Sequence, residues 1–371
     1  MVARLTTYGQ VPEIAPTQRA EQDGRFSALQ PQGRSSMRFA ALVLAAVTGV
    51  WLGAPGASAQ QPLKIRIAWV VPVANSPTIL YEKPSILRHK GKSYDIDLIR
   101  FQGTPPMITA LATNEIDIAL LAYSSFALAV QNANLQDLRV IADEAQEGVD
   151  GYYTSPFMVL KDSPINKVED LKGKVAATVG AGAAVDIAMR AMLKKHGLQD
   201  KRDYNVVEVG FPNMRAMLAE KKADLISAVL PFSINPELLA IGRNLFTVKD
   251  AIGRSEFIVW AARDGFLQQN KAAMADFMED SVLALHYLMD PKNRDELLQI
   301  AERVSKLPAS AFSGWMYTNK DLYRDPDMLP DIDAFQRSID VQQDLGFLKA
   351  KMDVKPYFDL SYVKEGAKRT K

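Results

Sequence analysis

GTPPMITALATNEIDIALLAYS, residues 103–124, lies without a gap over GFPNMRAMLAEKKADLISAVLP, residues 210–231, when the chain is slid along itself by 107 positions. Six pairs are identical: Gly103/Gly210, Pro105/Pro212, Met107/Met214, Leu111/Leu218, Ala112/Ala219 and Asp117/Asp224. Each copy spells a strand end, a Gly turn, a Pro where a helix begins, an apolar helical stripe, and an Asp that opens a buried strand. Self-similarity over one supersecondary unit implies two lobes of one design.

The flanking sequence repeats the same program. Strands are expected over 65–70, 96–101, 116–122 and 138–142, with helices over 78–89, 105–113 and 125–132 between them. A second block offers strands over 174–179, 204–209 and 224–229 and helices over 183–196 and 212–221. Alternation of this kind predicts an α/β fold with mostly parallel sheets and helices on both faces. Two extended apolar segments, YYTSPFMVL (152–160) and SEFIVWAA (255–262), border the second block, and they are expected to be the two hinge crossings between lobes. Lobe one would then be discontinuous, 60–152 with 260–371, and lobe two 153–259. After Phe266 the pattern is helical, over 272–289, 294–304 and 331–345, and these helices are expected on lobe one.

The N-terminus reads as export machinery. Arg34 and Arg38 flank Met37, a second candidate start, an apolar run follows over 39–53, and Ala57-Ser58-Ala59 provides small residues for a signal peptidase. Residues 1–59 are therefore assigned to an N-terminal extension and signal peptide, with cleavage after Ala59. The run is shorter than the roughly 20 residues a spanning helix needs. The chain has no cysteine, which excludes disulfides, thiol chemistry and a lipidated cysteine at the cleavage site. An exported protein without an anchor is retained best in a periplasm.

Charge is balanced, 44 Lys and Arg against 43 Asp and Glu, so nucleic acid is not an expected partner. Lys364, Lys368, Arg369 and Lys371 read as a solvated tail. The three histidines, His89, His196 and His286, sit in expected helices without metal-ligand spacing, and no metal or cofactor is expected. No GxSxG elbow, Walker loop or HExxH occurs, and no catalytic residue is assigned. Gly180-Ala181-Gly182 half-matches a dinucleotide fingerprint, but Val185 stands where the third glycine belongs.

In open α/β sheets ligands sit beyond the strand carboxyl ends, where helix N-termini offer unpaired N–H groups. Such ends fall at Ser76-Pro77, Thr104-Pro105, Ser124-Ser125, Gly180 to Ala183 and Gly210 to Pro212, with Ser76 and Thr104 placed as N-caps. Each cap alone serves only its helix. Several converging from two lobes would hold an anion, each contributing about 0.3–1 kcal/mol. Trp69, Tyr123 and Phe232 stand at strand ends as stacking surfaces, Trp69 sharing a face with Ile65 and Ile67 and so fitting the core equally. Arg190, Arg215 and Arg254 are unranked candidates for a counter-cation.

IRIAWVVPVANSP (65–77), FQGTPPMITALATNEIDIALLAYSS (101–125), INKVEDLKGKVAATVGAGA (165–183) and KKADLISAVLPF (221–232) resemble the nitrate, taurine and alkanesulfonate type of substrate-binding protein from bacterial ABC importers. The likeness spans most of residues 63–290 and implies a two-lobed type II periplasmic-binding fold that closes by a hinge. It further implies a ligand-binding set of Trp69, Asn75, Ser76, Thr104, Tyr123, Ser124, Ser125, Gly180, Ala181, Gly182, Ala183, Pro231 and Phe232. Permease and ATPase subunits would be the partners of a monomer. Relatives often carry a Gly where this chain reads Ala122-Tyr123, and the bulkier lining points to an organic carboxylate or sulfonate, aromatic ones included, over nitrate. Two alternatives share the architecture: the receptor of a tripartite importer, and a thiamine-pyrimidine synthase-like enzyme, whose cysteine-rich motif is absent here.

Overall fold

The structure, a computed structural model, describes residues 61–371. The extension, the apolar run and the cleavage site after Ala59 lie outside the described residues. Among the described residues no helix is long and apolar enough to cross a membrane.

The first pass builds β1 (Leu63–Trp69), α1 (Pro77–Leu80), β2 (Tyr94–Arg100), α2 (Met107–Ala112), β3 (Ile118–Ala122), α3 (Tyr123–Gln131) and β4 (Leu138–Glu147). The second builds β5 (Pro156–Leu160), β6 (Lys174–Thr178), α4 (Ala184–Lys195), β7 (Tyr204–Glu208), α5 (Met214–Ala219), β8 (Leu225–Ser227), α6 (Pro236–Ile241), β9 (Gly242–Thr247) and α7 (Val248–Ile252). The chain then returns through β10 (Ser255–Arg263) to α8 (Asp264–Gln269), α9 (Lys271–Met289), α10 (Arg294–Ser305), α11 (Ser310–Ser313), α12 (Ile332–Asp344) and α13 (Ser361–Arg369).

Two five-stranded sheets result, ordered β2-β1-β3-β10-β4 and β7-β6-β8-β5-β9. Three neighbouring strands in each are parallel, and the fourth is antiparallel to both its neighbours. The sheets are thus mixed, where the alternation pattern implied mostly parallel ones. The reason lies in the connectivity. Each fourth strand arrives from the edge strand of the other sheet, β4 leading into β5 and β9 through α7 into β10, so it enters against the local strand direction. The segments expected to cross between lobes are therefore fourth strands. The crossings themselves are short, at 148–155 and 253–254. All of β10 pairs in the first sheet, so the expected lobe boundary at residue 259 moves back to Gly253 and Arg254.

The crossings touch. Gly148 and Gly253 both have positive φ, and a Cβ on Gly148 would fall 2.5 Å from the Gly253 carbonyl oxygen. Only a residue without a side chain lets the two backbones pass at that distance.

The repeated Asp has a structural task in both copies. Asp117 Oδ2 accepts from the Arg66 amide at 2.8 Å while the Asp117 amide donates to the Arg66 carbonyl at 2.9 Å. Asp224 Oδ2 accepts from the Val175 amide at 3.0 Å and its own amide donates to the Val175 carbonyl at 2.8 Å. Each Asp extends the parallel ladder by one side-chain rung before β3 or β8 begins.

One expected helix fails. Residues 78–89 were to be helical, but α1 stops at Leu80, and Pro84 explains the break: it lacks an N–H and disfavours helical backbone in the residue before it. The C-terminal helices match their expected spans within a residue or two. Tyr362, Val363 and Ala367 of α13 join Phe277, Met278 and Val282 of α9 in the core that also holds Ile65, Ile67 and Trp260 of the first sheet.

Candidate functional site

Strand ends, turns and one loop from the C-terminal segment enclose a cavity of about 90 Å³ between the sheets. Lobe one contributes Val70, Val71, Ala74, Asn75, Gly103, Thr104, Leu120 and Ala122. Facing them from lobe two are Val179, Ala183, Ala184, Val185, Phe211, Val229 and Leu230. Ala145, Phe257 and Ile258 of β4 and β10 supply another part of the wall, and Asp321, Leu322 and Arg324 complete it. An engineered cavity that accepts benzene measures roughly 150 Å³, so a ring-sized occupant requires the lobes to part slightly.

The two repeated turns face one another here. A Cβ on Gly103 would sit 3.5 Å from Val179 Cγ2, one on Gly210 would sit 3.4 Å from Gln102 Oε1, and one on Gly182 would sit 2.7 Å from Leu128 Cδ1. The lobes therefore touch across the cleft, with glycines at three of the contacts.

Two of the five helix ends expected to grip an anion, those at Ser76 and at Gly180 to Ala183, are already engaged within the chain. Asn75 Oδ1 accepts from the Val70 and Val71 amides at 2.9 and 2.8 Å. The buried Glu144 carboxylate accepts from the Ser76 amide at 2.7 Å, the Ser76 hydroxyl at 2.5 Å and Trp260 Nε1 at 2.6 Å. In lobe two the Gly182 amide donates to Asp186 at 2.9 Å and the Ala181 amide to Glu208 at 2.9 Å. Internal carboxylates occupy the place that a ligand anion would take at these amides. Ser76 is thus no side-chain cap, because its hydroxyl is turned to Glu144. Neither is Thr104, since α2 starts after Pro106 and the Thr104 hydroxyl meets the Ser125 hydroxyl at 2.8 Å.

Of the expected ligand residues, Asn75, Thr104 and Ala183 wall the cavity. Ser125 stands behind Thr104. Tyr123 and Ser124 are wholly buried at the start of α3, each with a hydroxyl that lacks a partner. Trp69 ends β1 half-buried, with the Arg100 guanidinium 5.6 Å from its ring centre. Gly180 closes a turn by accepting from the Ala183 amide. Pro231 leads into a short turn in which Phe232 stacks on the cavity residue Phe211 at 6.3 Å.

None of the three unranked arginines faces the cavity. Arg190 pairs with Asp186 and Asp200, Arg215 with Glu237, and Arg254 with Asp331. The arginine that does is Arg324, which the sequence reading missed. It is 5% exposed, paired with Asp321 at 3.0 Å, and donates to the Ala74 carbonyl at 2.8 Å. Its Nε is buried without a partner. Asp321 is held by the amides of Tyr317 and Leu322 at 2.9 and 2.8 Å. Burial pushes the Arg324 pKa down, but the charge and hydrogen bond of Asp321 together with Tyr317 and Glu144 outweigh it, and the guanidinium stays charged.

A second group of ionisable residues lies away from the cavity. His89, Asp276 and Glu279 approach one another, yet Glu279 is paired with Arg88 at 2.6 Å and Asp276 with Arg369 at 3.3 Å. The basic tail residue Arg369 is thereby tied to α9 and does not extend into solvent.

A family model described as the NMT1-like family matches residues 58–302. No curated protein matches the chain. Solved structures of the same fold include the alkanesulfonate-binding protein SsuA from Xanthomonas axonopodis pv. citri bound to MOPS, 19% identical, covering 81% of this chain and 99% of its own at a TM-score of 0.63. The periplasmic nitrate-binding protein NrtA from Synechocystis PCC 6803 is 14% identical and covers 83% of this chain and 89% of its own, with a TM-score of 0.64. A desulfurization enzyme, DSZB, is 14% identical and covers 83% of this chain and 100% of its own, with a TM-score of 0.60. Binding proteins and an enzyme thus share this architecture.

Proposed function

This chain belongs to the NMT1-like family, and from that membership and its cleft we propose that it is the extracytoplasmic solute-binding component of an importer, capturing a small organic molecule between its lobes. The observation that carries the reading is the cavity walled by both copies of the repeat, with the Gly103 and Gly210 turns in contact across it. A solute held this way touches both lobes at once, so its binding free energy favours the closed form. Likeness in fold to sulfonate- and nitrate-binding proteins of import systems supports the same role, with periplasmic localisation and permease and ATPase subunits as partners.

A binding role also fits the chemistry of the wall better than a catalytic one. Among the described residues no histidine faces the cavity, the chain has no cysteine, and the one acid, Asp321, is fixed by Arg324 and two amides. No free base or activated nucleophile stands at the apolar surface.

Thermal unfolding in the presence of a panel of sulfonates, aliphatic and aromatic carboxylates, their neutral analogues, nitrate and pyrimidines tests the role. A ligand that binds only the folded form raises the midpoint. At least one organic member is expected to do so, with its mass unchanged after incubation by mass spectrometry. A panel without any shift sinks the reading, and a new product mass replaces it with an enzyme.

A further inference from the structure

We infer that the solute taken by this cleft is uncharged at its polar end: an apolar body carrying one hydrogen-bond acceptor that receives the Arg324 Nε–H. The inference rests on the solute-binding role and narrows its ligand class. Three observations carry it.

The first is the character of the wall. Valine, leucine, isoleucine, alanine and phenylalanine from both lobes make up most of it, so the body of the ligand gains chiefly from leaving water. The second is that the donors at two of the helix ends an anion would use, before α1 and before α4, are largely spent. The amides of Val70, Val71, Ser76, Ala181 and Gly182 already donate to Asn75, Glu144, Glu208 and Asp186. The third is the charge count. Arg324 is balanced by Asp321 at 3.0 Å, and Glu144 is close enough to act on the same guanidinium. A ligand anion would add a further negative charge to a buried site without an unpaired cation, and such a charge is costly out of water.

An unused donor belongs to a residue of this wall. Arg324 Nε is buried and has no partner, although its neighbouring nitrogens reach Asp321 and the Ala74 carbonyl. A buried N–H without an acceptor is costly, and a ligand carbonyl, sulfonyl or ether oxygen would remove the cost without bringing charge. The Thr104–Ser125 hydroxyl pair has a spare O–H, because only one of the two is used between them. Asp321 is then the residue that sets specificity: it cancels the charge that would otherwise select acids.

Matched pairs test this by isothermal titration of the full-length protein: benzamide against benzoate, 2-naphthamide against 2-naphthoate, and methyl phenyl sulfone against benzenesulfonate. The neutral member is expected to bind at least about tenfold more tightly in any pair that binds. In Asp321→Asn the released Arg324 charge is expected to shrink that ratio by about tenfold. Acids that bind the unaltered protein as tightly as their neutral partners overturn the inference and leave the solute-binding role standing. A neutral preference that survives Asp321→Asn unchanged removes Asp321 as its source. If no member of any pair binds while another compound of the thermal panel does, the inference falls and the solute-binding role stands.

Discussion

Gly148 and Gly151 lie three residues apart in the first crossing, both with positive φ, and they differ in one respect. A Cβ on Gly148 would meet the Gly253 carbonyl at 2.5 Å, whereas one on Gly151 would meet nothing within 4 Å. Left-handed backbone costs an L-residue roughly 1–2 kcal/mol. Gly151→Ala is expected to lose about that much stability in urea denaturation, and Gly148→Ala clearly more, because the backbones must also separate. Equal losses would mean that the crossings do not pack on each other. Tyr123 provides the opposite sign. The sequence places it at a strand end, where an aromatic could face a ligand, but α3 starts at that residue and turns the ring into the core, its hydroxyl without a partner. An unmade buried hydrogen bond costs about 1–3 kcal/mol, so Tyr123→Phe is expected to leave thermal stability unchanged or raise it by up to that amount. Arg324 was not legible for a different reason. It lies between α11 and α12 in a stretch with no helical or strand period, and only the folded chain brings that loop to the cleft.

Among the elements, the parallel strands and most of the helices were readable because burial and period agree in them. Ile65 and Ile67 of β1 are wholly buried, and the turns carry Gly or Pro where the chain reverses. The fourth strands were readable as apolar segments, but their partners depend on which sheet they enter, and local pattern does not encode that. The run ADEAQE of residues 142–147 was least legible, since four of its six residues are acidic or amide types and the sequence reading ended the strand at 142. Yet β4 continues through Glu147, with Asp143, Glu144, Gln146 and Glu147 all buried. Glu147 accepts from the Ser155 amide at 3.1–3.2 Å and so clasps the two ends of the first crossing. Burial raises its pKa to about 7, and Asp143 beside Glu256 is likewise raised to about 7 by burial. A raised carboxyl is protonated more readily in the folded chain than in the unfolded one. Its stabilising contribution is complete below the ordinary carboxyl range and is lost as pH climbs through 7. Stability is expected to fall between pH 5 and 8, with Glu147 accounting for on the order of 3 kcal/mol. In Glu147→Gln the slope of denaturation free energy against pH is expected to flatten, and an unchanged slope would remove Glu147 as its cause.

At the scale of the molecule, each sheet takes its fourth strand straight from a crossing, so the second sheet is one contiguous stretch, β5 to β9, whereas the first is closed only when β10 returns to it. The repeat at an offset of 107 announced two similar halves, but the antiparallel entry of the fourth strands was hidden, because it lies in connections outside the repeated segment. The two short backbone crossings lie side by side, and the lobes are otherwise joined through side chains. A cleft of about 90 Å³ must open to admit a ring-sized solute, and the crossings are where the chain can bend. A covalent tie between the lobes tests this directly. Gly103 and Val179 face each other, with a Cβ on Gly103 lying 3.5 Å from Val179 Cγ2, near the spacing a disulfide needs after a small adjustment. The native chain has no cysteine, so Gly103→Cys/Val179→Cys can form only this bond within one molecule. The reduced double variant is expected to bind a solute found by the thermal panel. The oxidised form is expected to lose binding by tenfold or more when ligand is added after oxidation, and to trap ligand when it is added before. Equal binding in both redox states would show that solute reaches the cavity without movement of the lobes.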